Sequence, residues 1–148
     1  MKKSLFRPID RFELLSCYVL CFIFNSMFDY VKTLNIESDL LQNFLKQFYD
    51  YQVLIVFLLT FIVVIFHYQM VHRKKIEVYC RILVGDTIQS VTIRYICECL
   101  VILGIALIIS MVMNIMLDIN LIHNIYLACV FVVYVFISSW MVSRFENL

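Results

Sequence analysis

Three stretches, Tyr51 to Val71, Tyr95 to Leu117 and Leu121 to Val142, hold one formal charge between them, Glu98. Each has roughly the 20 residues that an α-helix needs to cross a ~30 Å hydrocarbon core. Composition enforces that reading. The 148-residue chain is 64% hydrophobic and 16% charged, against about 45–50% and about 25% in soluble domains. A chain this short buries only about 70% of its unfolded surface, so lipid must cover the remainder. A weaker fourth run, Phe12 to Val31, carries Glu13 and Asp29 near its ends and Asn25-Ser26 inside. Bulky Phe22, Phe24 and Phe28, with no small-x-small cleavage pattern, make it a retained span rather than a signal peptide. The expected fold is an all-α integral membrane protein, one domain over 1–148, with spans over about 12–31, 51–71, 93–117 and 121–142.

The same composition excludes several activities. With Gly85 and Gly104 as the only glycines, neither a P-loop nor a dinucleotide fingerprint can be written, and no catalytic motif stands out. Any nucleotide must bind another subunit. A net charge of +1 leaves no nucleic-acid footprint. Cys17, Cys21, Cys97, Cys99 and Cys129 fall in apolar runs and Cys80 in a basic loop, without a C-x-x-C. They read as reduced thiols serving as small hydrophobes.

Charge distribution gives orientation. Lys2, Lys3, Arg7, Arg11, Arg73, Lys74, Lys75, Arg81, Arg94 and Arg144 fall on one side, against Lys32 and Lys46 on the other. The positive-inside rule places both termini and the loop between spans two and three in the cytoplasm. The segment Lys32 to Asp50 is then external. Ile36, Leu40, Leu41, Phe44, Leu45 and Phe48 trace one face of an amphipathic helix over about 35–48. Ile36, Leu40, Phe44 and Phe48 mark an outer-face substrate region.

The inner loop changes pattern. Ile76, Tyr79, Cys80, Leu83 and Val84 form an apolar stripe, with Lys74, Glu77 and Arg81 opposite. Glu77 precedes Arg81 by four residues, the favourable order for a helical ion pair. Gly85 suits a helix C-terminus, and Asp86 with Gln89 suggests a capping box for the next helix. The pattern predicts a short interfacial helix over about 74–84, its stripe packed on the bundle and its charged face free for a partner.

The stretch Arg73-Lys74-Lys75-Ile76-Glu77-Val78-Tyr79-Cys80-Arg81-Ile82-Leu83-Val84-Gly85, followed by Glu98, resembles the signature after the second span of FtsX/MacB-type ABC transporter permeases. In that family a basic cluster precedes Glu, a Gly follows eight positions later and another Glu thirteen after that. Glu77, Gly85 and Glu98 keep that spacing. Asp86-Thr87 stands where the family usually has Ala-Ser or Ala-Thr, and the 19-residue segment Lys32 to Asp50 replaces a large extracellular domain. The resemblance implies a permease subunit that pairs with a second permease, of the same or different sequence, and docks a cytoplasmic coupling helix on an ABC ATPase dimer. Lys74, Glu77 and Arg81 would bear on the ATPase and Gly85 would permit the bend. ATP and Mg would belong to that partner, and the substrate would be a peptide, antibiotic or lipid-like molecule at the outer face. With a composition rich in Ile, Phe and Lys, the implied location is a bacterial plasma membrane.

Within the spans, Glu98 is the sharpest residue, because a charge there normally faces protein or water. Arg94, one turn away, is its expected ion-pair partner. His67 and His72 are five apart, which does not set them on one helical face, and no metal site follows. Tyr49, Tyr51, Tyr68, Tyr126 and Trp140 read as interfacial anchors. Gly104, Ala106 and Ser110 offer a small-residue surface for a permease–permease contact. Two other readings stay open: a non-transporting adaptor or sensor using the same ATPase contact, and a small autonomous four-span exporter, for which Glu13 speaks but the scarcity of glycine does not.

Overall fold

The computed structural model describes residues 6–33 and 39–143. They form five helices, α1 (Pro8–Thr33), α2 (Asp39–Asp50), α3 (Gln52–Leu83), α4 (Ile88–Met116) and α5 (Ile122–Ser143), with no strand among the described residues. All but α2 are long and apolar enough to cross a membrane, the pattern of a multi-pass membrane protein.

Local chemistry sets the helix ends. Pro8 opens α1, where its missing N–H costs nothing, and the Asp10 carboxylate accepts the Arg7 backbone N–H at 3.1 Å. At the end of α3, Gly85 adopts φ +103°. Its N–H donates to the Ile82 carbonyl while the Asp86 N–H donates to Arg81, both at 3.0 Å, a Schellman motif. Asp86 is thereby committed to the C-terminus of α3, and the N-cap of α4 is Thr87, whose hydroxyl accepts the Ser90 N–H at 3.4 Å. The expected Asp86–Gln89 capping box is corrected accordingly. The α4–α5 turn closes the same way, with Asp118 at φ 53° and the Ile119 N–H on the Asn114 carbonyl at 2.9 Å.

No atom lies within 4 Å of a Cβ built on either glycine, so only backbone energetics separate them. Gly85→Ala is expected to destabilise by about 1 kcal/mol because its φ is left-handed. Gly104→Ala, inside α4, is expected to stabilise by about 0.5–1 kcal/mol. Unfolding midpoints in detergent check both; equal midpoints would contradict the Gly85 assignment.

α1 and α5 each pack on both α3 and α4. The core they share contains Leu14, Tyr18 and Phe22 of α1, Val63 and Met70 of α3, Val91 and Cys99 of α4, and Phe131 and Val135 of α5. Ala106 and Ser110 are buried in this same interior. The expected permease–permease surface on span three is therefore already occupied at these two positions by the chain's own packing. Phe57, Phe61, Val101, Ile108, Phe136 and Trp140 face outward, as lipid-facing residues do. α2 exposes Leu40, Leu41 and Phe44 and packs only lightly on α1 and α3. Of the expected outer-face residues, Ile36 and the Phe48 side chain lie outside the described residues.

The largest departure concerns the inner loop. Residues 74–83 are not a separate coupling helix; they are the last turns of α3, which at 32 residues is about 48 Å long against a ~30 Å core. Nothing from His72 to Lys75 breaks a helix, and Arg and Lys are good helix formers. Continuity fixes the rotational phase. Val63, His67, Met70 and Val71 are buried, and the same stripe continued brings Lys74 and Val78 inward. Ile76, Tyr79, Leu83 and Val84 consequently point out, 76, 54, 70 and 90% exposed. The stripe expected to pack on the bundle is its exterior.

Candidate functional site

At the end of the bundle that holds Pro8 and Gly85, a collar of charges ties three helices together. Lys74 is buried, its ammonium 2.8 Å from Asp10 and 3.3 Å from Glu77. Glu77 also receives Arg81 at 3.2 Å, the local pair expected from the sequence. Around this centre, Arg73 meets Glu13 at 3.0 Å. Glu98 lies 3.5 Å from Arg11 and accepts the Phe6 backbone N–H at 3.1 Å.

These partners correct two expectations. Lys74 does not offer its charge to a partner protein, because it is spent on Asp10 and Glu77. Arg94 does not pair with Glu98. It turns back to Asp86 at 3.7 Å and donates to the Ser90 hydroxyl at 3.3 Å, while Glu98 is held by the start of α1. Glu77 and Arg81 remain part-exposed, and a shallow hollow of about 420 Å3 at the Gly85 corner is lined by Glu77, Cys80, Arg81, Val84 and Asp86. The Gly85 corner is thus flanked by an apolar ridge and a small charged hollow.

Deeper in the bundle are polar groups whose roles the sequence did not disclose. His67 is fully buried, with Nε2 2.5 Å from the Tyr18 hydroxyl and Nδ1 3.1 Å from the Tyr95 hydroxyl. A neutral imidazole donates from one nitrogen and accepts at the other, so one tyrosine donates to it and the other accepts from it. Towards the far end, the Asn25 amide donates to Asn124 Oδ1 at 2.6 Å. The Asn124 amide donates to Ser26 at 2.8 Å and to Ser110 at 2.7 Å. Asp29 accepts Lys32 at 3.0 Å and faces His123 Nδ1 at 3.1 Å. The available signal was general: polar residues inside a span turn inward. Which of them meet was not encoded in their spacing.

No group of three His, Cys, Asp or Glu side chains among the described residues is placed to hold a metal, and all six cysteines are free. The collar joins α1 to α3 through Asp10–Lys74 and α1 to α4 through Arg11–Glu98. No family model, curated protein or solved structure matches this chain.

Proposed function

We propose that this chain is the membrane subunit of an FtsX/MacB-type ABC permease, assembled with a second permease subunit and driven by a separate cytoplasmic ATPase dimer that binds ATP and Mg. The observation that carries this reading is the ridge of Ile76, Tyr79, Leu83 and Val84, exposed on a helix too long for the bilayer. Exposed apolar residues beyond the length that a bilayer covers are the build of a surface that binds a protein or a membrane, and Glu77 and Arg81 beside the ridge favour a protein. The basic residues around it support a cytoplasmic location under the positive-inside rule.

In this reading the ridge, with Glu77 and Arg81 beside it, is what the ATPase grips. Gly85 makes the corner that presents it. A displacement there travels along α3 and α4 as rigid rods, because the collar fixes both to α1, and reaches the outer face where a peptide, antibiotic or lipid-like substrate is handled. The chain itself carries no catalytic step.

The tagged protein, extracted in mild detergent, is expected to recover a soluble ATPase, and Tyr79→Asp or Leu83→Asp is expected to abolish that recovery while leaving the thermal midpoint unchanged, since both side chains are more than half exposed. A partner-free oligomer from the unmodified chain, or recovery indifferent to both substitutions, overturns the reading.

A further inference from the structure

At the end of the bundle opposite the collar, α1, α3 and α5 part to leave a cleft of about 590 Å3, within the size range of small-molecule sites. Val56 and Phe57 of α3 and Leu127 and Val130 of α5 give it an apolar wall. Lys32 and His123 stand at its rim, and both are already held by the buried Asp29 carboxylate. Among the described residues that line the cleft, none is acidic. With its basic groups paired and no carboxylate of its own, the cleft suits an uncharged occupant.

Two buried polar side chains line this cleft with accepting capacity to spare, Asn25 and Thr60, 5 and 7% exposed. The Thr60 hydroxyl spends its proton on the Phe57 carbonyl at 2.8 Å and keeps lone pairs that can accept. For Asn25 the orientation follows from a chain of commitments. Ser26 gives its single hydroxyl proton to the Phe22 carbonyl at 2.9 Å, so it accepts the Asn124 amide N–H. Asn124 thereby turns its Oδ1 to Asn25, whose amide N–H it accepts at 2.6 Å. Asn25 Oδ1 is the atom left over, with no hydrogen-bond partner among the described residues. From Lys32 back to Asn25 along α1, and from Gln52 to Thr60 along α3, the drop below the rim is roughly 10–12 Å at 1.5 Å per residue. In a ~30 Å hydrocarbon core that depth belongs to acyl chains, where bulk water does not compete for the two acceptors. Buried polar atoms in folded proteins are nearly always hydrogen-bonded, so the natural complement is a donor on an apolar body.

We infer that this cleft binds an uncharged lipophilic molecule carrying a hydroxyl or amide N–H donor, its apolar body between α3 and α5 and its donor taken by the acceptors Asn25 Oδ1 and Thr60 Oγ1. Hydroxyl and amide share the chemistry that these acceptors recognise. The inference requires only that the four helices span a bilayer. It is independent of the ATPase contact at the other end, so either can fail alone.

The test uses the full chain in phosphatidylcholine nanodiscs with two pairs of photoactivatable diazirine probes, adducts being mapped by mass spectrometry. One pair is a long-chain alcohol and its methyl ether; the other is a secondary fatty amide and its N-methylated form. At least one donor-bearing probe is expected to label Val56, Phe57, Leu127 and Val130 severalfold more than its blocked counterpart, and the pair that shows the excess tells hydroxyl from amide. Thr60→Val, which keeps the shape and loses the hydroxyl, is expected to reduce that excess severalfold, and Thr60→Ser to retain it. Labelling by the blocked probe is expected to stay unchanged in both. Val130→Trp is expected to reduce labelling by both members of the pair to the level of the neighbouring lipid-facing surfaces. Equal labelling by donor and blocked probes in the unmodified chain, adducts spread evenly over α3, α4 and α5, or an excess indifferent to Thr60→Val overturns the inference. Should Val130→Trp not yield monodisperse protein, the probe pairs and the Thr60 variants decide alone.

Discussion

Lys74→Met is expected to lower the unfolding free energy in detergent by about 3–5 kcal/mol, the usual consequence of removing one partner of a buried ion pair. The Lys74 side chain is 10% exposed and that of Asp10 14%. Methionine fills the same volume but leaves the Asp10 carboxylate without its ammonium, and Glu77 with Arg81 alone. The loss is therefore mostly the penalty of an uncompensated charge rather than the worth of the bond. That distinction has its own expected result: Lys74→Met combined with Asp10→Leu recovers most of the stability, because a buried pair replaced by apolar groups is often nearly neutral. A double-mutant cycle in denaturant titrations reads the coupling. Arg73→Gln is the control. Its pair with Glu13 is 58% and 39% exposed, and such pairs contribute about 0–1 kcal/mol. If Lys74→Met were no more damaging than Arg73→Gln, the collar would not be what fastens α3 to α1.

His67→Leu is the second large effect. It strips the Tyr18 and Tyr95 hydroxyls of the imidazole they share in the middle of the bundle. Hydrogen bonds between membrane helices average about 0.6 kcal/mol and reach about 1.7, while an orphaned buried polar group costs about 1–3. A loss of roughly 1–3 kcal/mol in thermal or denaturant unfolding is therefore expected. Adding Tyr18→Phe and Tyr95→Phe to His67→Leu is expected to restore part of it by removing the orphans themselves. A triple variant no more stable than the single one would show that the histidine matters for its volume, not its nitrogens. Because Leu14, Phe22 and Phe131, also fully buried, pack the same core, the comparison with His67→Phe separates packing from hydrogen bonding.

Much of this chain is legible locally. Four helices long and apolar enough for a membrane stand where the apolar runs lie, because the length of an uncharged run needs no knowledge of neighbours. The break at Gly85 was equally readable, since only glycine takes a φ near +100° without strain, and the Glu77–Arg81 pair follows from i, i+4 spacing on one helix. What failed was the rotation of residues 74–84. Taken as a separate element, that stretch is free to turn Ile76, Tyr79 and Leu83 towards the bundle. As the end of α3 it inherits the phase set by Val63 and His67, and the same residues face out.

The partners of the polar groups were beyond local reading for a related reason. Arg94 and Glu98 are one turn apart and invite pairing, yet Glu98 meets Arg11, and Lys74 meets Asp10. An interhelical partner is chosen by which helices lie adjacent and at what height, and that information belongs to no single segment. The sequence by itself determined that this chain forms apolar helices of membrane-spanning length, that the chain breaks at Gly85 and which end is basic, because hydropathy, glycine conformation and charge act over a few residues. Only the tertiary structure decided which faces of those helices are interior, which charges are spent on one another and where a cleft remains, because burial and pairing depend on neighbours dozens of residues away.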